Sequence, residues 1–301
     1  MNEEYSLGIY SYKGKIDFSK LPKLPEQLKM DNVSAAAVTL ELLMGEVVIK
    51  DSSAKVLYKE TWDYTKLPRA KSGTHSYLRF SKVLGIEDIT VKENKDTCDR
   101  FFIRDRRNKY VYEHILNELT QYFVVKAKSP CEGFVHLYRV LEFMSYSFPL
   151  IYSSRSKDYR GSYESLKKFL KGGDAAGELK FLGYFLDVLF SDEVSTYEYE
   201  FDILFESDNI SELRKDFQNA IKLNLYVWEN NTMTIKFKNL KDIFVEIRNK
   251  YFHMLLGQGS NNFLNMNYDK NDLFRSLNPV FVNWISCIFV KIIQQGLLLY
   301  S

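Results

Sequence analysis

Histidine, cysteine and proline are scarce in this chain of 301 residues, with four His, three Cys and six Pro. Each shortage removes a class of explanation. Cys98, Cys131 and Cys287 stand far apart without the C-x2-C spacing of a zinc site, and an odd count with no secretory leader predicts free thiols in a reducing cytosol. The histidines (His75, His114, His136, His253) show no zinc-ligand spacing either, and no paired carboxylate motif suggests two-metal catalysis. No metal and no cofactor is expected. The first part of the chain also has no Gly-rich phosphate loop and no nucleophile elbow, so a catalytic centre there has little support.

Charge of one sign is missing as well. A formal net charge of +2 excludes attachment to nucleic acid through a generally basic surface, so any RNA contact must be local. The densest basic run, Arg100, Arg104, Arg106, Arg107 and Lys109, is broken by Asp99 and Asp105. It reads either as a phosphate-contacting patch or as a solvated face. The N-terminal Met1-Asn2-Glu3-Glu4 is acidic and lacks the basic region and apolar run of a signal peptide. The most hydrophobic stretch, Val280 to Leu299, is interrupted by Asn283, Lys291, Gln294 and Gln295, which predicts a buried helix and no membrane span. A cytoplasmic location is the expectation.

What is present is a well-filled, folded chain. Hydrophobic residues make up 46% and charged residues 27%, so no long segment has the composition of a disordered tail. The 22 Phe and 21 Tyr suit a dense core and could also supply exposed stacking surfaces for bases. An α+β chain of two domains is expected. Residues 1–128 read as a β-rich domain, with strands near Tyr5–Tyr12, Ala37–Ile49, Lys55–Trp62, Ser76–Phe80 and Phe101–Arg104, and a rigid extended connection at Lys20–Pro25. Helical pattern starts near Tyr110. Residues 129–301 read as a helical bundle, opened by Ser129-Pro130 and a helix over Glu132–Phe148 whose apolar residues recur at three- and four-residue spacing. Further helices are predicted at Ser162–Leu170, Glu178–Phe190, Ile210–Leu223, Leu240–Leu256 and Pro279–Leu298. A hairpin, Leu225–Glu229 and Thr232–Phe237 around Asn230-Asn231, is inserted among them.

The helix over 240–256 carries the chemistry. On a wheel with Leu240 at zero, Ile243, Phe244, Ile247, Tyr251, Met254 and Leu255 fall within about 60°, while Asn249 and His253 fall near roughly 180° and 220°, opposite the core. Arg248 lies on one flank and Lys250 on the other. Histidine titrates near neutrality and can move the proton of a ribose 2′-hydroxyl or of a leaving 5′-oxygen. Arginine stays charged and can hold a phosphate through two hydrogen bonds as negative charge builds on it. In such chemistry the 2′-hydroxyl would be the nucleophile, so the expected substrate is RNA.

Arg248-Asn249-Lys250-Tyr251-Phe252-His253 resembles the R-(polar)-x3-H signature of HEPN-domain ribonucleases. A second run, His136 to Met144, resembles the first long helix of several HEPN subfamilies, including the Apea-like ones of bacterial defence proteins. The resemblance covers about residues 129–301, and the inserted hairpin departs from the simplest HEPN bundles. It implies a metal-independent RNA endonuclease of an anti-phage defence or toxin system, a homodimer whose two motif helices form one cleft, with Arg248, His253 and Asn249 catalytic. Lys250 would add a phosphate contact. Glu142 would either orient the arginine or histidine, or be a flank carboxylate paired with a nearby base. The β-rich domain would receive a regulatory protein or phage-derived trigger. The rival implication is a non-catalytic HEPN-like interaction or dimerisation subunit of a larger defence complex. A similar Arg-Asn start, Arg107-Asn108, precedes His114 at a longer spacing across a loop-to-helix junction.

Overall fold

The computed structural model describes residues 4–14, 34–59, 61–65, 70–71, 108–155, 159–170, 178–190, 197–203, 210–251 and 270–298. The described chain is α+β: helices with small antiparallel sheets. The expected strands at Ser76–Phe80 and Phe101–Arg104 and the connection at Lys20–Pro25 lie outside the described residues.

The N-terminal sheet has the order β1 (Glu4–Leu7), β2 (Tyr10–Gly14), β3 (Val47–Asp51), β4 (Val56–Lys59), all antiparallel. The predicted strand at Tyr5–Tyr12 is in fact a hairpin, because Gly8 at φ +59° turns the chain between β1 and β2. The segment read as one strand, Ala37–Ile49, is mostly helix: α1 spans Ala35–Leu43, and only its end enters β3. Three consecutive alanines favour the helix, and all nine residues of α1 are buried, so no polar face existed to reveal a 3.6-residue period. Gly45 ends the turn after α1 at φ +76°, where an added Cβ would sit 2.6 Å from the Trp62 carbonyl oxygen. That strand residue belongs to β5 (Trp62–Asp63), which pairs with β6 (Ala70–Lys71).

Two long helices follow, α2 (Lys109–Val125) and α3 (Pro130–Arg155), and they pack along each other. Proline at the first position of α3 lacks only an N–H that would have no helical partner. The next amide, Cys131 N–H, donates to Asn271 Oδ1 at 3.1 Å. Then come α4 (Tyr159–Leu170), α5 (Glu178–Leu189), β7 (Glu198–Asp202), α6 (Ile210–Ala220), β8 (Tyr226–Glu229), β9 (Thr232–Lys236), α7 (Leu240–Tyr251) and α8 (Lys270–Leu298). The β8–β9 hairpin turns at Asn230, φ +50°, as an Asn-Asn loop between two strands should. β7 pairs with β9 on its other side and makes a three-stranded sheet, β7-β9-β8. Its alternation of rings and carboxylates, Tyr197-Glu198-Tyr199-Glu200-Phe201-Asp202, is a period-two signal that the sequence reading passed over.

Helix α8 starts at Lys270, well before Pro279, which lies inside it. A proline is a common first residue but can also be carried in a helix interior at the loss of one hydrogen bond. Next to it the buried Asn278 donates to the Pro130 carbonyl at 2.7 Å, tying α8 to the start of α3. The window Asn271–Ile293 is long and apolar enough to cross a membrane, with mean hydropathy 1.5, and 72% of it is buried against the rest of this protein.

One buried core runs from the sheet into the helices. Tyr12 Oη lies 2.9 Å from Thr120 Oγ1 of α2, Gln121 donates to Tyr10 Oη at 2.8 Å, and Asn283 of α8 donates to the Tyr64 carbonyl at 2.8 Å. Where α3, α7 and α8 meet, Phe134, Phe244, Phe281 and Trp284 form a ring cluster, with Phe244 and Phe281 centroids 3.7 Å apart. The 128/129 position falls in the turn between α2 and α3, and the core is continuous across it. Cys131 and Cys287 are in no disulfide and pack against the core from partly buried positions; burial pushes the Cys287 thiol up to about 12, which disfavours the thiolate.

Candidate functional site

Helix α7 is amphipathic for reasons visible in its residues. Leu240, Ile243, Phe244 and Ile247 are fully buried and dock the helix on α3 and α8 through the ring cluster. Asp242 in the first turn and Arg248 and Lys250 in the last complement the helix dipole. The last turn therefore presents its polar residues away from that stripe: Asn249 is exposed, and Arg248 and Lys250 are half-buried.

Arg248 is held from three sides. Its Nη1 donates to Asn249 Oδ1 at 3.1 Å, its Nη2 lies 3.8 Å from Glu142 Oε1 of α3, and its Cζ sits 5.1 Å from the centre of the Tyr138 ring, one turn earlier on α3. Tyr138 is nearly buried, so it forms a floor under the guanidinium. A 3.8 Å approach is an ion pair without the two parallel hydrogen bonds of a bidentate fork. With five N–H donors on a guanidinium, donors are left for a phosphate, and the Arg248 side chain keeps 30% of its accessibility.

The structure thus brings together Arg248, Asn249 and Glu142, places Lys250 on the same terminal turn, and leaves His253 outside the described residues, beyond Tyr251. A cleft of about 600 Å³ opens at the other end of α7, lined among others by Tyr184, Asp187, Phe190, Lys238 and Lys241. It shares no residue with the Arg248 site. Among the described residues no group of three or more His, Cys, Asp or Glu side chains gathers as metal ligands would.

On the other flank of α3 the structure assembles residues that the sequence reading did not connect. Glu118 of α2 bonds His136 Nδ1 at 2.7 Å and lies 3.8 Å from Arg139 Nη1. Beside them Tyr110, His114, Phe143 and Tyr146 form a column of rings bent at His114: successive centroids lie 4.2, 4.7 and 5.2 Å apart, Tyr110 also lies 6.1 Å from Phe143, and only His114 and Phe143 are near parallel. The weaker arginine-to-histidine run ends in this column, since His114 is stacked on Phe143. Their i,i+3 and i,i+4 spacings were the available signal, but it takes the pairing of α2 with α3 to join them.

Comparison with known proteins finds no family model, no curated protein and no solved structure that matches this chain.

Proposed function

We propose that this protein is a metal-independent RNA endonuclease of the HEPN kind, acting in bacterial anti-phage defence or as a toxin. Its finer architecture on this reading is a β-rich N-terminal sensor or partner-binding part, residues 1–128, followed by a HEPN-like bundle, residues 129–301, with the β8–β9 hairpin inserted. The active form is a cytoplasmic homodimer in which the final turns of two α7 helices face one cleft.

The observation that carries the reading is the setting of Arg248: a guanidinium on the outer side of a docked helix, floored by Tyr138 and oriented by Glu142 and Asn249, with donors left for an anion. In the reaction the 2′-oxygen of the RNA attacks the adjacent phosphorus, forming the O2′–P bond while the P–O5′ bond breaks. Arg248 binds the non-bridging oxygens, on which charge accumulates. Asn249 orients Arg248 and adds a hydrogen bond to the same phosphate; Lys250 adds charge. The proton that leaves the 2′-hydroxyl is replaced by one added to the 5′-oxygen, so none is gained or lost, and His253 takes the first or delivers the second. The products are a 2′,3′-cyclic phosphate and a 5′-hydroxyl, with atoms and charge balanced without a further reactant.

A second reading has its own observation. Arg248 is engaged by a carboxylate, an amide and a ring of its own chain, as a structural arginine would be. On that reading the chain is a HEPN-like interaction or dimerisation subunit. Total cellular RNA in excess chelator separates the two, using wild type, Arg248→Ala and His253→Ala, each first shown to be folded. Cutting by wild type alone, with cyclic-phosphate ends, is the expected result; absence of cutting by all three, with lysate or infected-cell extract added, would leave the subunit reading. Growth arrest on overexpression, relieved by His253→Ala, is the matching result in cells.

A further inference from the structure

The column Tyr110–His114–Phe143–Tyr146 has no role in the chemistry above. Its inner members are partly buried, but its ends are open: Tyr110 keeps 64% of its accessible surface and Tyr146 keeps 41%. Two large exposed rings held on two packed helices offer aromatic surface at fixed positions, and stacking on exposed rings is how proteins hold unpaired bases.

The charges bordering the column are two ion pairs whose cations are the more exposed partners, with Glu142, 40% exposed, on the side toward Arg248. Lys109, one residue before Tyr110, is 3.5 Å from Glu113, and the lysine side chain is 66% exposed against 25% for the glutamate. Arg139, one turn before Phe143, is 3.8 Å from Glu118, with 57% exposure against 19%. In both pairs the cation is the outer partner and the carboxylate lies beneath it. A strand meeting this surface encounters an ammonium, a guanidinium and rings, which matches the alternation of phosphate and base in a single-stranded nucleic acid.

The column and Arg248 occupy the two flanks of α3. Phe143 follows Glu142 directly in sequence, so one side chain meets the column and its neighbour meets Arg248. We propose that this face is a stacking platform for the unpaired bases of an RNA strand that continues across α3 to Arg248, with Arg139 and Lys109 taking phosphates. It rests on the ribonuclease reading and narrows its substrate to RNA with a single-stranded segment beside the cut. A second copy of the chain is the other occupant such a face could take, and sedimentation of the ring variants distinguishes it.

The test is fluorescence anisotropy with the full chain and a labelled single-stranded RNA whose riboses are 2′-O-methylated, so that no 2′-hydroxyl attack can cut it. The same strand with abasic sites and a duplex of equal length are the comparisons. Tyr110→Ala and Tyr146→Ala are each expected to weaken the single strand by about 10-fold, the removal of one stacked base. Wild type should lose the product of the two factors, roughly 100-fold, on the abasic strand, whereas the double variant should not distinguish the two strands. Arg139→Gln should lower the salt slope of log Kd by about one. The proposal is overturned if wild type binds no single strand, if the double variant binds as wild type does, if abasic and normal strands bind alike, or if the ring variants dissociate a dimer in sedimentation. Chelator-treated cleavage of unmodified RNA keeps the two readings apart. Ring-dependent binding without cutting removes the nuclease and leaves the platform, and cutting that ring variants do not change removes the platform and leaves the nuclease.

Discussion

If the protein is the ribonuclease proposed above, replacing Arg248 should cost far more in RNA cleavage than in stability, and the size of the gap can be worked from its contacts. Its ion pair with Glu142 is long, at 3.8 Å, and joins side chains that keep 30% and 40% of their accessibility. Partly exposed pairs of this sort contribute about 0.2–1 kcal/mol. The guanidinium lies 5.1 Å from the Tyr138 ring centre, a cation–π contact of about 0.5–1 kcal/mol at a site that water still reaches. Arg248→Ala should therefore destabilise the fold by about 1–2 kcal/mol in urea denaturation. Glu142→Gln should cost less than about 1 kcal/mol, and the coupling between the two in a double-mutant cycle should stay below about 1 kcal/mol. A guanidinium that stabilises the charge developing on a phosphate contributes more: removing a single such donor lowers turnover by about 10²–10³-fold. Glu142→Gln, which loosens Arg248 without removing it, should fall between wild type and Arg248→Ala. A folded Arg248→Ala protein that cuts RNA at the wild-type rate would refute the assignment of the site. A stability loss above about 4 kcal/mol with no separate effect on cleavage would make Arg248 a packing residue.

Glu41 of α1 is fully buried, its two carboxylate oxygens have no hydrogen-bond partner among the described residues, and burial together with the neighbouring Glu46 holds its carboxyl well above the usual range. Between the group's ordinary value and this raised one the folded protein keeps Glu41 neutral while the unfolded chain ionises it, so across that window stability should fall by about 1.4 kcal/mol per pH unit as pH rises. Glu41→Gln should flatten that slope in urea melts at several pH values, and a slope unchanged from wild type would show that Glu41 is not its source. Lys126 sits 4.8 Å and 4.9 Å from the ring centres of Tyr58 and Phe123 and donates to Tyr64 Oη at 3.3 Å. Lys126→Met keeps the apolar stem and should still lose about 1–2 kcal/mol, mainly cation–π attraction, while a loss within error would assign the contact to packing alone. Gly45→Ala combines a positive φ with a Cβ 2.6 Å from a backbone oxygen. It should destabilise by more than about 2 kcal/mol in thermal or urea unfolding, and a wild-type melting curve would mean that the α1–β3 turn can move.

How much of this was legible in the sequence depended on whether an element has two unlike faces. Helix α7 has Leu240, Ile243, Phe244 and Ile247 on one side and Asn249 on the other, and that contrast alone orients it. The β8–β9 hairpin was legible because Asn230 tolerates the positive φ its turn requires. Helix α1 has no second face: Ala35 through Leu43 are buried all round, so a short apolar run looked like a strand, and the alanines were the cue that should have weighed more. Pro279 misplaced the start of α8 because proline marks a helix start more often than an interior, and here the helix continues through it.

Sites follow the same logic with a longer reach. A motif confined to one helical turn, such as Arg248 and Asn249, is visible in sequence because backbone geometry fixes its members relative to each other. A contact such as Glu142 with Arg248 joins positions on different helices, and only a family resemblance could single out that carboxylate among so many. The ring column had neither advantage. Tyr110 and His114 on α2 meet Phe143 and Tyr146 on α3 only because the chain reverses at Lys126–Pro130, and Gly133 allows the close approach, where an added Cβ would lie 3.2 Å from the Tyr122 ring. The packing that brings α2 onto α3 is set by the core on the far side of both helices, by Ile115, Leu119, Leu137 and Leu141. Substitutions in that core should therefore disturb the column without touching it, whereas Tyr110→Ala and Tyr146→Ala, at exposed ends, should change what the surface binds and leave the fold as it is.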